Sequence, residues 1–395
     1  MNPSVAILGV GMHPWGKWGK PFTEYGIVAA EDALEHAKLN WSDVELVSGA
    51  NTMRCGYPGY ISGATFADAL GSRGTRIASS YAACASGAMA LQQARAHILA
   101  GFCEVALVVG ADTAPKGFFA PTSGDRPSDP DWLRFRLLGA TNPVYFGLYA
   151  RRRMDVYGAS LDDFSRVKIK NSRHGLHNKN ARYHREYTEA DMAKSPVVSD
   201  PLRLLDICAT SDGAACVILS SIQYAKKTRQ KFVELSAIST MTPTFPNPLL
   251  DLPNFSNDSW AAFDTPKTSF RKQIATLAYE EAGIGPRHLD LAEVYDLSTA
   301  LELDWYEELE LCPEGEAEVF LRSGATEIGG KIPVNPSGGL SSFGEAVPAQ
   351  ALAQLCELTW QLRGEAGQRQ VTSARVGLAI NQGLFGHGSA MIAKV

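Results

Sequence analysis

Cys84 stands where a β-like run gives way to a long Ala-rich helix, in the stretch SSYAACASGAMA at residues 79–90. A thiol at the first turn of a helix feels the positive end of the backbone dipole. That lowers its pKa and raises its thiolate fraction. The small neighbours Ala82, Ala83, Ala85, Ser86 and Gly87 leave room for another backbone or a substrate to approach. Two readings stay open at this point, an activated thiol or a buried structural one, since free Cys is among the most buried residue types. A second candidate is the basic run RVKIKNSRHGLHNKNARYHR at 166–185, with seven Lys or Arg and no acid. It reads either as a solvated helix and turn or as a cradle for an anionic group such as a nucleotide phosphate, with Arg173 and Lys179 in it.

The elements around Cys84 follow from periodicity. Residues 4–10 are an apolar run ending in Gly, a buried strand, and 25–37 have helical spacing. Asp43 leads into a strand at 44–47. The helix opened near Cys84 runs to Gly101 as its C-cap, and 105–110 is a central strand. This β-α-β-α-β order implies a mainly parallel, layered sheet. Residues 112–200 break the rhythm with loop-like DRPSDPDWLRF and a helix after Pro143, and 201–220 return to strand character at their end.

From Phe232 the pattern repeats. FVELSAIST echoes SVAILGVGM, and ATLAYEEAGIGPRHLDLAEV echoes AAEDALEHAKLNWSDVELV. NPSGGLSSFGEAVPAQALAQLCEL sits where YAACASGAMALQQARAHIL sat, and VGLAINQG echoes VALVVGAD. Two copies of one unit imply two similar halves packed together, with the two equivalent helices in the middle. On this reading Cys84 and Glu345 open equivalent helices facing one interface, and Tyr295 follows the buried strand 291–294. The division is 1–111 for the first half, 112–200 for an insertion, 201–231 for a return to the first half and 232–395 for the second.

Composition excludes several classes. The 395 residues are 45% hydrophobic, 20% charged and 9% aromatic, as in ordinary globular proteins. A net charge of −5 argues against nonspecific nucleic-acid binding. The seven Cys, at 55, 84, 103, 208, 216, 312 and 356, show no CxxC pair and no metal spacing, which fits a reduced, cytoplasmic chain. The N-terminal apolar run has no basic region before it and is too short for a signal peptide, and no stretch has the length of a membrane span.

Seven stretches in order resemble the thiolase superfamily, most closely its sterol-carrier-protein-type thiolase and lipid-transfer branch: ACASGAMA, VALVVGAD, KNSRHGLHNKNARYHREYT, PLRLLDICATSDGAA, AEVYDLST, NPSGGLSSFGE and NQGLFGHG. The resemblance implies an α/β thiolase fold, two repeated βαβαβ-type halves in a five-layered αβαβα sandwich. It also implies a homodimer and acyl-CoA substrates that bring their own coenzyme A, with no other cofactor and no metal. It puts Asp296, Asn335, Gly338, Gly339, Gly383 and Gly386 at the substrate, and Arg173 and Lys179 at the CoA or a partner.

The departures from the family pattern bear most on function. The His of an H-D motif is here Tyr295, the His of an S-x-G-H-P motif is here Glu345, and NQGLFGHG lacks the Cys that completes the acid–base set. Claisen chemistry needs a base for the thiol and an acid–base at Cα. Tyr in place of the first His resembles the steroid side-chain-cleaving aldolases of the superfamily, which work with a DUF35 (zinc-ribbon and OB-fold) partner. The resemblance thus implies retro-aldol cleavage of a β-hydroxyacyl-CoA sterol or bile-acid side chain to a ketone or aldehyde and a short acyl-CoA. The alternatives are a degradative thiolase using Cys84 and a non-catalytic lipid- or acyl-CoA-binding protein. In a retro-aldol step Tyr295 or Glu345 could take the hydroxyl proton. Backbone N–H groups of the turn at 383–388 could hold the oxyanion, and His387 could protonate Cα or be an exposed turn His.

Overall fold

A computed structural model of the chain describes residues 4–51, 62–114, 142–244, 268–383 and 387–395. The first half runs β1 (Val5–Gly16), α1 (Phe22–Ala37), β2 (Leu46–Ala50), α2 (Ser62–Ala69), β3 (Arg76–Ser80), α3 (Ser86–Leu99) and β4 (Val105–Asp112). The insertion holds α4 (Asn142–Tyr157), α5 (Leu161–Leu176), α6 (Glu189–Lys194) and the small hairpin of β5 (Val197–Ser199) and β6 (Leu202–Arg203). β7 (Asp212–Ser220) and α7 (Ile222–Lys227) return to the first half. The second half comprises β8 (Val233–Met241), α8 (Phe270–Ala282), β9 (Leu291–Glu293), α9 (Thr299–Glu308), α10 (Ala317–Arg322), α11 (Gly339–Ser342), α12 (Gln350–Arg363), β10 (Val376–Gly383) and β11 (His387–Lys394).

The main strands order as β3-β2-β4-β7-β1-β8-β11-β10-β9. Read outward from the β1–β8 joint, the two sides have the same connectivity, so the repeat in the sequence is a repeat in space. Antiparallel ladders predominate, which corrects the expectation of a mainly parallel sheet. β2 runs parallel to β3 and β4, and β9 to β10, but β7, β1, β8 and β11 all join their neighbours antiparallel. The cause is connection type: only the strands linked by crossover helices can lie parallel, while β11 folds straight back on β10 as a hairpin.

Alternating side chains sort into layers. On β4, Val105, Leu107 and Val109 pack outward with Ala29, Ala33 and Phe66 of α1 and α2. Ala106 and Val108 pack inward with Leu91 and Ala94 of α3 and Leu352 and Leu355 of α12. In the second half Leu378 and Ile380 of β10 face α8 and α9, while Ala379 faces the middle. The result is helix, sheet, paired helices, sheet, helix, the five layers that the resemblance implies, with the two equivalent helices in the middle as the repeat implies. The central layer is thin because glycine lines it: a Cβ on Gly110 would lie 2.5 Å from the Pro348 carbonyl oxygen. α12 is buried on nearly every side, and some of its polar residues pair internally, as where Glu357 pairs with Arg369 at 2.7 Å.

Candidate active site

Tyr295 leaves β9 in a loop fixed from both sides. The Val294 N–H donates to Asn335 Oδ1 at 2.8 Å, and Trp305 Nε1–H donates to the Tyr295 carbonyl at 2.9 Å. The Tyr295 hydroxyl donates to Glu345 Oε1. The other carboxylate oxygen accepts from the Cys208 thiol at 3.3 Å. Cys84 makes a side-chain hydrogen bond with the same Tyr295 hydroxyl. A phenol, a carboxylate and two thiols therefore share one space, and each of the four side chains is 7% exposed or less. Burial first, then the Cys84 and Glu345 charges, push the Tyr295 hydroxyl well above its usual value of 10, so the phenol keeps its proton. Burial and Glu345 do the same to the Cys208 thiol.

Glu345 is held by its backbone. It bridges Thr210 in parallel fashion, its N–H donating to the Ala209 carbonyl at 2.9 Å and its carbonyl accepting from Ser211 N–H at 2.7 Å. Gly344 turns the chain into this bridge at φ 113, where a Cβ would meet Ser211 Oγ at 2.5 Å. The preceding α11 is clamped by Lys168, which donates to the Ser341 carbonyl and, at 3.2 Å, to Ser342 Oγ. Burial lowers the Lys168 ammonium to about 7, with Asp296 and Asp206 pulling the other way.

The expectation that Glu345 opens a helix is corrected. Cys84 lies in a 3-10 turn, Ala83–Ala85, just before α3, and the matching turn before α12 is Val347–Ala349. Pro348, not Glu345, is thus the positional equivalent of Cys84. Neither Ala346 nor Ala349, the residues at the N-cap positions there, has a side-chain cap, and Glu345 caps no helix. Its carboxylate is held by donors from Tyr295 and Cys208 instead of by a dipole.

His387 is half-buried at the start of β11, and its Nε2–H donates to the Ala82 carbonyl. A carbonyl only accepts, so this contact fixes the Nε2–H tautomer and ties β11 to the turn carrying Cys84. Gly383 faces His387 across the β10–β11 hairpin. Gly386, and with it half of the turn expected to form an oxyanion hole, lies outside the described residues.

Asp296, Asn335, Gly338 and Gly339, expected at the substrate, are turned into the protein. Asp296 Oδ1 accepts the Leu340 N–H at 2.8 Å. Glu302, 0% exposed, pairs with Lys170 at 2.7 Å and accepts from Tyr306 at 2.5 Å, Asn171 at 2.6 Å and Asn335 at 2.9 Å. Burial and Glu302 push the Asp296 carboxyl well above the usual carboxylate range. Gly338 and Gly339 take left-handed backbone and lie against Asn171 and Asp296. The network positions the loops bearing Tyr295 and Glu345, and its side chains bond chiefly to one another.

The basic run also divides. Lys168 and Lys170 of α5 are 1% exposed and used inside. Arg173 is exposed and pairs with Glu327 at 2.7 Å, whereas exposed Lys179 lies near Asp32 of α1. The structure does not bring those two cations onto one partner.

Beside the four-residue cluster opens a pocket of about 370 Å³, part of it solvent-open. Tyr145, Phe146 and Tyr149 of α4 and Leu301 and Trp305 of α9 wall it, and Tyr295 reaches it from the cluster. Arg271 and Gln382 supply its polar part.

Residues 5–223 match the family described as thiolase, N-terminal domain, and residues 257–393 match the thiolase C-terminal domain-like family. The chain belongs to the thiolase superfamily. Sterol carrier protein 2 of Homo sapiens is 35% identical over 401 residues, covering 97% of this chain and 70% of that protein. An acetyl-CoA acetyltransferase of Methanothermobacter thermautotrophicus is 31% identical over 393 residues, covering 98% of each. A solved structure described as the Ltp2-ChsH2(DUF35) aldolase superposes with a TM-score of 0.82 over 100% of this chain and 99% of that one, at 24% identity, a likeness of fold.

Within this thiolase framework, the two positions where the resemblance expects histidines are occupied by residues in direct contact with each other. Sequence reasoning missed Cys208, Lys170, Glu302, Arg271 and Gln382. The stretch ICATSD carried a signal for Cys208, a thiol set among small residues, and α9 carried one for Glu302, a carboxylate on the side of Leu301 and Trp305. No helix among the described residues is long and apolar enough to cross a membrane.

Proposed function

We propose that the protein cleaves a β-hydroxyacyl-CoA by a retro-aldol reaction, with Tyr295 and Glu345 as a proton relay. The observation that carries this is the Tyr295–Glu345 hydrogen bond, in which only Tyr295 reaches the pocket. The substrate hydroxyl gives its proton to the Tyr295 oxygen as the phenol proton passes to Glu345. The Cα–Cβ bond breaks, Cβ becomes the carbonyl of a ketone or aldehyde, and the electron pair goes to the thioester as an enolate. Cα takes a proton from water, and the hydroxide left behind takes back, through Tyr295, the proton held on Glu345, giving a short acyl-CoA and the starting carboxylate. Atoms balance with no co-substrate and no acyl-enzyme. His387, whose Nε2 proton is held by Ala82, serves to position the Cys84 turn. The aromatic lining of the pocket suits a ring-bearing β-substituent such as the end of a sterol or bile-acid side chain.

The competing reading is a thiolase that uses Cys84. With no histidine at either base position, acetoacetyl-CoA and CoA should give no thiolysis, and Cys84→Ala should retain substantial cleavage of a β-hydroxyacyl-CoA. Cys84-dependent thiolysis, or an acyl-Cys84 adduct in mass spectrometry, would restore the thiolase.

The proposal extends to CoA and partners. Arg173 and Lys179 replaced by Ala should raise KM about tenfold or less with kcat little changed, the mark of uniform binding. Unchanged KM would remove them from CoA binding. β3 is a sheet edge with Ile77 47% exposed and Tyr81 beside it 62% exposed, an apolar edge that a second copy would cover. Light scattering should therefore give a dimer. The aldolase of like fold is a complex with a DUF35 protein, which supports a partner of that kind here. Full activity of the homodimer, unchanged by adding such a protein, would exclude it.

A further inference from the structure

We infer that Arg271 and Gln382 form a polar reader in the wall of the aromatic pocket, selecting substrates whose β-substituent carries a hydrogen-bond-accepting oxygen. This rests on the retro-aldol reading for the identity of the substrate but not for the existence of the subsite.

Arg271 is 7% exposed. Its guanidinium lies 5.0 Å from the ring centre of Tyr149 and 5.1 Å from that of Trp305. Stacked rings hold such a plane without using its N–H donors. Two donors are spent on protein: Nε–H on Gln382 Oε1 at 3.0 Å, and Nη1–H on Asp304 Oδ2 at 3.3 Å. The bond from Nε does more than satisfy Arg271. It fixes which end of the Gln382 amide faces the guanidinium, so the amide NH₂ is turned away from it. Gln382 is 7% exposed and lines the pocket, and among the described residues its Nε2 and the Arg271 Nη2 meet no protein acceptor.

A mostly aromatic pocket with two oriented donor groups in its wall fits a ligand that is mostly hydrocarbon with one oxygen acceptor. A purely hydrocarbon group would strand those donors, which costs binding free energy. Asp304 already offsets the Arg271 charge, so a neutral keto or hydroxyl oxygen is accommodated without a second anion.

The test separates binding from chemistry. Two non-cleavable thioesters, 3-cyclohexylpropanoyl-CoA and 3-(3-oxocyclohexyl)propanoyl-CoA, are titrated into the full chain by calorimetry. The keto form should bind about tenfold or more tighter. Gln382→Met, close in volume, and Arg271→Lys, which cannot orient the amide in the same way, should each reduce that ratio toward one, while affinity for the hydrocarbon form changes little. Melting curves of both variants establish that they are folded. Equal affinities in the wild-type protein, or a ratio kept in Gln382→Met, would overturn the inference. The matching 3-hydroxy thioesters are then assayed for cleavage. Absence of acetyl-CoA from both, with the binding ratio intact, would sink the retro-aldol reading and leave the subsite standing.

Discussion

Glu345→Gln should lower kcat on a β-hydroxyacyl-CoA by about a hundredfold or more with KM nearly unchanged. The side chain keeps its shape and can still accept from Tyr295, but an amide oxygen cannot take the proton. Because Glu345 is 1% exposed and lies behind Tyr295, substrate affinity does not depend on its charge directly. Tyr295→Phe should cause a loss of kcat of the same order, since it removes the only member of the pair that reaches the pocket. The double variant should be little worse than either single one, because two groups acting as one relay are not additive. Near-wild-type turnover in both single variants would leave the relay without support and favour a lipid-binding role. A fall in melting temperature without a fall in kcat would make Glu345 a structural residue.

Lys170→Met should destabilise the fold by about 3–5 kcal/mol, because it leaves the Glu302 carboxylate buried without its cation. The pair is 1% and 0% exposed at 2.7 Å, so water cannot take the place of the ammonium. Adding Glu302→Gln to Lys170→Met should recover part of the loss by removing the stranded charge. Chemical denaturation of the two variants reads this directly. Because the same carboxylate holds Asn171 and Asn335, Lys170→Met should also reduce kcat through the Tyr295 loop. A change under about 1 kcal/mol would mean that the loop is held by other contacts.

How much of this was legible beforehand varied by kind of signal. The internal repeat gave the layered fold and its pseudo-symmetry because each strand and helix in the two halves buries one face, and that leaves a periodic trace. Strand direction was not legible: β7 reads as an apolar run like any buried strand, and only its connections decide that it runs antiparallel to β4 and β1. Tyr295 and Glu345 stood out as departures from a family pattern. That they touch could not be read, since they come from separate loops fifty residues apart that the Thr210 bridge and the Glu302 network bring together. The basic run misled for a related reason. Charge in a sequence says nothing about the face of a helix it falls on, and Lys168 and Lys170 turned inward to meet backbone carbonyls and Glu302. Asp296 and Asn335, polar and near the site, were expected at the substrate, but polar residues next to a buried carboxylate are as readily used to hold a loop.

The most direct test is a single incubation of the purified protein, with and without a DUF35 partner, with a β-hydroxyacyl-CoA steroid and no added CoA. Mass spectrometry follows the products. A steroid ketone or aldehyde and a short acyl-CoA should form in equal amounts, lost in Tyr295→Phe and Glu345→Gln and retained in Cys84→Ala. Intact substrate under all conditions, or products that require free CoA and Cys84, would contradict the retro-aldol reading.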